Sequence, residues 1–177
     1  MERRRLDPGA ILPTMIDPAL TAAAQRSADA LLARRATVGV AEGSCGGLVS
    51  ASLLAIPGAS TYYSGGAVIY TLAASRAFLA GALPPPPGLR GATEEFALYL
   101  ARCAALKLNA TWAVGEGGAA GPTGNPYGDP AGHAWLAVSG PTESTRHLLT
   151  GSDDRPANMV AFATAALTLL AETVEAS

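Results

Sequence analysis

Apolar residues recur at helical spacing over residues 18–35, where Leu20, Ala24, Ala28, Leu31 and Leu32 form one stripe behind Asp17 and Pro18. A capping aspartate followed by proline at the first helical position predicts a first helix there. The run Thr37-Val38-Gly39-Val40-Ala41 is short and β-branched and predicts a buried strand. Residues 42–47 then turn through glycine into an apolar helical stretch at 48–54. A second strand is expected over residues 65–70 and a helix over 73–79, stopped near Gly81. Pro84-Pro85-Pro86-Pro87 reads as an extended connector, either a stiff spacer or a partner ligand, because proline cannot continue a helix. Thr93 ahead of Glu94 and Glu95 predicts a capped helix running to about Leu108. A strand over 111–114 follows, then strands over 133–138 and 142–149 paired around Gly140-Pro141. Asp153 or Asp154 caps a last helix that buries Val160, Ala163, Leu167, Leu170 and Val174. Strands alternating with helices, then one hairpin, predict an α/β protein of three layers, α/β/α. Its mixed, mostly parallel sheet is covered by helices on both faces.

Two glycine-rich stretches interrupt this periodicity. Residues 115–133, GEGGAAGPTGNPYGDPAGH, form a long connection between apolar runs. A loop of that length in a compact domain is either a functional rim or plain punctuation by Gly and Pro. The turn at Glu42-Gly43-Ser44-Cys45-Gly46-Gly47 joins a strand to a helix, a junction that aims backbone amides at one spot and suits an anion or a developing oxyanion. The same junction also occurs as a purely structural turn. Both stretches are expected at neighbouring strand ends, where α/β folds bind ligands. The ligand contacts expected there are Glu42, Gly43, Gly46, Gly47, Gly118, Gly121, Thr123 and Asn125.

Composition narrows the function classes. The chain has 177 residues, 49% hydrophobic and 15% charged, enough for one domain over residues 17–177 with a proper core. Residues 1–16, with Arg3, Arg4, Arg5, Pro8 and Pro13, read as an N-terminal arm. A net charge of -2 gives no basic footprint for nucleic acid. No apolar stretch runs unbroken for the ~20 residues of a membrane span, and the basic start lacks the apolar segment of a signal peptide, so a cytoplasmic protein is expected. Cys45 and Cys103 show no metal spacing, and His133 and His147 are too few for a site needing three or four ligands, so neither metal nor cofactor is expected. The alanine-rich, weakly charged helices point to a homo-oligomer.

Val40-Ala41-Glu42-Gly43-Ser44-Cys45-Gly46-Gly47-Leu48, then Pro57-Gly58-Ala59-Ser60, Gly66-Ala67-Val68-Ile69-Tyr70 and Gly118-Ala119-Ala120-Gly121-Pro122 together carry a pattern. It resembles the CinA C-terminal domain family over about residues 18–175, in the stand-alone form of the competence/damage-inducible proteins. The resemblance implies a hydrolase related to enzymes that convert nicotinamide mononucleotide to nicotinate mononucleotide and ammonia in pyridine nucleotide salvage. It also implies a small nucleotide-like or amide ligand. The family pattern AESCTGG places a serine where this chain has Gly43. Ser44 stands where the family has cysteine, and Cys45 where it has threonine. The family lysine of TYSNEAK falls on Ser75, a further lysine on Asp129, and paired arginines on Met159 and Val160, while Arg155 stays in register. Losing a serine and its base removes most of the activation a hydroxyl nucleophile needs. Fewer cations also disfavour a phosphate. Arg76, Arg146 and Arg155 are available to compensate. If the chain is catalytic, Ser44 or Cys45 is the expected nucleophile and Tyr70 the proton shuttle. Cys45 is open to two readings, a thiolate activated at a helix N-terminus or a small packing residue. A non-catalytic ligand sensor of the same fold is the alternative.

Overall fold

The computed structural model describes residues 17–177; the arm expected over residues 1–16 lies outside them. Helix α1 spans Pro18–Ala33, and the Asp17 carboxylate accepts from the N–H of Ala19 and Leu20, the predicted cap. Strand β1, Val38–Glu42, leads through the first glycine turn into helix α2, Leu48–Ala55. A short 3-10 turn at Ala59–Thr61 precedes strand β2 at Tyr63–Val68, two residues earlier than its apolar run suggested. Helix α3 is Leu72–Leu79 and helix α4 is Glu94–Leu108, capped by Thr71 and Thr93. Strand β3 covers Trp112–Ala119, strand β4 His133–Ser139, strand β5 Ser144–Leu149 and helix α5 Arg155–Glu175. Of the two candidate caps for α5, Asp154 is the one used.

The five strands form one sheet in the order β2-β1-β3-β4-β5. The β1/β2 and β1/β3 pairs are parallel, β3/β4 and β4/β5 antiparallel, so the mixed sheet is more evenly divided than its helix-strand alternation suggested. Helices α1, α2 and α5 cover one face over a core that includes Val38, Val40, Trp112, Val114, Leu136 and Phe162. Helices α3 and α4 cover the other, around Ala41, Ile69, Leu100 and Cys103. This is the three-layer arrangement. Helix α5 is long and apolar enough to cross a membrane, but more than half of its most apolar stretch is buried inside this fold.

The long glycine stretch is shorter as a loop than its composition implied. Residues 115–119 continue β3 in register with β4, because no side chain is needed where α4 lies directly on the strand. A Cβ on Gly115 would sit 1.9 Å from the Ala97 carbonyl oxygen, so α4 packs against bare backbone. The parallel register pairs Val38 with Trp112, Val40 with Val114, and Glu42 with Glu116. Alternate residues of a strand share a face, so both glutamates emerge beneath the α2 layer at the carboxyl end of the sheet.

Candidate functional site

Glu42 and Glu116 are neighbours on β1 and β3, both completely buried, yet their surroundings differ. Glu42 Oε2 accepts from the N–H of Gly47 and Val49 at 3.0 and 3.1 Å. Its Oε1 accepts from the Ser50 N–H and hydroxyl at 3.0 and 2.7 Å. The carboxylate thus caps α2, whose own N-cap, Gly47, offers no side chain. Expected to touch ligand, Glu42 is instead consumed by the helix it starts.

Glu116 is held from one side only. Its Oε2 accepts from the N–H of Gly43 and Cys45, both at 2.9 Å, and its Oε1 accepts from the Ser44 hydroxyl in a short hydrogen bond. Burial pushes this carboxyl above its ordinary range, partly offset by the Ser44 and Cys45 hydrogen bonds. Ser44 is 6% exposed and lines a cleft of about 310 Å³, together with Ile69, Tyr70, Phe96, Gly118 and Tyr127. Glu116 was not singled out from the sequence because it sits inside the glycine run. The signal was the alternation Trp112, Val114, Glu116, in phase with Val38, Val40, Glu42.

The remaining expected residues divide between cleft and scaffold. Cys45 is 0% exposed and packs in the core under α2, so it does not reach the cleft. Burial raises its thiol well above the usual range, with Glu116 and Glu42 adding to the effect, the reverse of an activated thiolate. The Gly43 and Gly47 amides are spent on Glu116 and Glu42, and the Gly46 amide on the Gly43 carbonyl at 3.2 Å, so none of the three forms an oxyanion cradle. Among the described residues the Ser44 N–H has no hydrogen-bond partner. Gly118 approaches the nucleophile candidate directly; a Cβ there would lie 2.9 Å from Ser44 Oγ.

Tyr70 is 63% exposed on one lip of the cleft. Its hydroxyl accepts from Arg155 Nη2 at 3.1 Å, while Arg155 Nη1 donates to the Gly121 carbonyl at 2.7 Å. Arg155, Gly121, Thr123 and Asn125 line an adjoining recess of about 250 Å³ that also touches Ser44 and Tyr70. Asn125 turns its polar atoms inward, accepting from the N–H of Tyr127 and Asp129 and donating to the Asp129 carboxylate. Its role is to shape the loop. Arg146 pairs with Glu172 at 2.6 Å, outside the cleft, leaving Arg155 as the one cation among the described residues that lines the cleft or recess.

A second polar chain holds the far wall. His133 Nε2 lies 2.8 Å from the Ala92 carbonyl, which only accepts, so Nε2 carries the proton. Nδ1 then accepts from His147 Nε2 at 2.9 Å. This pins Ala92, a non-glycine residue at φ 58, beside Thr93 at the head of α4. Among the described residues no group of three or more His, Cys, Asp or Glu is placed to hold a metal ion.

The fold and the paired turns are those of a known family, and the CinA C-terminal domain model matches residues 20–174. The chain belongs to the CinA C-terminal domain family. A CinA-like protein of Salinibacter ruber is 36% identical over 142 residues, 78% of this chain and 34% of that protein. One of Acidobacterium capsulatum is 40% identical over 113 residues, 63% of this chain and 27% of its own length. The chain therefore spans about a third of these curated relatives. The competence/damage inducible protein of Agrobacterium tumefaciens superposes with a TM-score of 0.81 at 27% identity, covering 92% of this chain and 99% of that one. A CinA superfamily protein of Klebsiella pneumoniae, at 24% identity and TM-score 0.81, covers 89% and 99% and shares the fold.

Proposed function

We propose that this CinA-family domain is a serine-dependent carboxamide hydrolase acting on a small substrate that lacks a phosphate. Ser44 is the nucleophile, and Glu116 supplies the base that the family lysine position, now Ser75, lacks. The observation that carries this reading is the hydrogen bond from Ser44 to a buried carboxylate, opening onto the cleft. Two amides fix one oxygen of Glu116, which aims the other at the hydroxyl, and burial makes it a stronger base than a solvated glutamate.

In the reaction, Ser44 Oγ bonds to the amide carbon while its proton passes to Glu116. The unpaired Ser44 N–H suits the oxygen on which charge develops. The C–N bond then breaks as Glu116 returns the proton to the departing nitrogen, releasing ammonia and leaving an ester on Ser44. Water attacks the ester, Glu116 takes and returns a second proton, and the acid product departs with Ser44 restored. Tyr70 and Arg155 orient the substrate at the lip. Among the described residues one cation lines the cleft or recess, too little to hold a phosphate dianion, so nicotinamide riboside, which lacks the phosphate, is expected to outperform nicotinamide mononucleotide.

Ammonia release from both compounds tests this. Ser44→Ala and Glu116→Gln are expected to lower kcat at least about a hundredfold while the protein stays folded. Undiminished turnover by Ser44→Ala sinks the assignment, as does no turnover of either compound by folded wild type. A ligand-sensor reading is favoured by one observation, the commitment of the Gly43, Gly46 and Gly47 amides to internal bonds. Thermal stabilisation by ligand with no product would establish it.

A further inference from the structure

A second hollow adjoins the cleft at Phe96. Leu72, Ser75, Leu89 and Phe96 are shared with this hollow of about 840 Å³, bounded by α3, α4 and the strap at residues 80–89. The strap is pinned to α4, because Tyr99 donates to the Leu83 carbonyl at 3.2 Å and Lys107 donates to the Ala80 carbonyl. Its wall includes Leu83, Pro84, Pro85 and Pro86, and a proline offers ring carbons with no N–H to hold water. Leu72 is 66% exposed at the junction, and Ser75 beside it is short and uncharged. Among the described residues the cleft itself has no charged lining residue and the annex has one, Arg76, with no hydrogen-bond or ion-pair partner there.

We propose that this annex is the substrate's specificity subsite, taking an apolar aliphatic or aryl body attached to the carboxamide held at Ser44. The assignment of the amide end rests on the Ser44–Glu116 reading; the annex itself rests on the four lining residues it shares with the cleft and on its apolar walls. A cationic extension meets Arg76 and no carboxylate among the described lining residues, whereas each methylene leaving water for these walls tightens binding about fourfold. The proline run, otherwise an unusual connector, gives that subsite a rigid outer wall.

A series from benzamide to 4-hexylbenzamide tests it, with binding to the full chain measured by calorimetry in wild type and in Ser44→Ala. The dissociation constant is expected to fall about fourfold per methylene until the annex is full. Capping the chain with trimethylammonium should remove the gain. Ala82→Trp, which fills the annex, should flatten the series, while Phe78→Ala, which lies outside both hollows, should leave the slope unchanged. If benzamide binds and lengthening does nothing, the annex assignment falls and the Ser44 site stands. A slope undisturbed by Ala82→Trp also overturns it, placing the chain elsewhere. If no amide of any length binds, both assignments fall. Because the trimethylammonium comparison needs only wild type, the outcome does not hang on the tryptophan variant folding.

Discussion

Glu42 and Glu116 face each other across a parallel strand pair, equally buried, and differ in what they hold. Four donors from one helix surround Glu42, so every oxygen lone pair is committed to starting α2. Glu116 is gripped by two amides and spends its remaining oxygen on a hydroxyl that lines the cleft. The same residue type in the same register is scaffold in one strand and candidate chemistry in the next. What separates them is whether the donor on the last oxygen is fixed backbone or a group that can react.

Removing the side chains should open the widest gap. Glu42→Ala strands three amides and a hydroxyl at the head of α2, and a loss of about 3–5 kcal/mol is expected in urea unfolding. Glu116→Ala strands the Cys45 amide and the Ser44 hydroxyl, while the Gly43 N–H keeps its bond to the Glu116 main-chain carbonyl at 3.1 Å, and a smaller loss of about 1–3 kcal/mol is expected. Equal losses would break the distinction. The glutamine pair sharpens it. Glu42→Gln must point an NH₂ group at backbone N–H donors that cannot turn, at a cost of about 1–3 kcal/mol. At position 116 the glutamine oxygen still serves Gly43 and Cys45, while its NH₂ faces a Ser44 hydroxyl free to rotate and accept. Stability is therefore expected within about 1 kcal/mol of wild type, with activity lost.

The same variant carries the pH dependence. The folded-state value of Glu116 lies above its ordinary 4.5, so the folded protein holds this proton more tightly than the unfolded chain. Its contribution to stability is full below about pH 4.5 and declines as pH rises through the folded value. Measured against Glu116→Gln, wild type should lose stability upward through that window. Turnover, which needs the ionised form, should rise through the same window. Parallel stability curves for the two proteins would refute the shift. The smallest contrast is between serines: Ser50→Ala and Ser44→Ala each remove one bond to a carboxylate and should each cost about 1 kcal/mol. Only Ser44→Ala should abolish the proposed turnover.

The framework was legible because it rests on local rules. Asp17, Thr93 and Asp154 cap helices as their sequence contexts indicate, and the β-branched run at 38–40 is buried strand. The site was half legible. Ser44, Tyr70, Gly118 and Arg155 meet at neighbouring strand ends, but Glu116 was hidden by glycines whose composition resembles a loop. Gly115 and Gly117 are strand residues because a helix covers them, a tertiary cause that no local window contains. Cys45 misled for a related reason: a residue in a turn before a helix looks accessible until the core beneath it is known.

The bare backbone at Gly115 reaches further than its own strand. Helix α4 lies so close there that any side chain must lift it, and α4 carries Phe96, while Ala92 and Tyr127 complete the same rim. The aperture of the cleft is therefore gauged at a spot that no ligand touches, sealed under a helix. A search for variants accepting bulkier compounds should find its gains there, as Gly115→Ala jacks the rim outward, and not only among residues in the cleft itself.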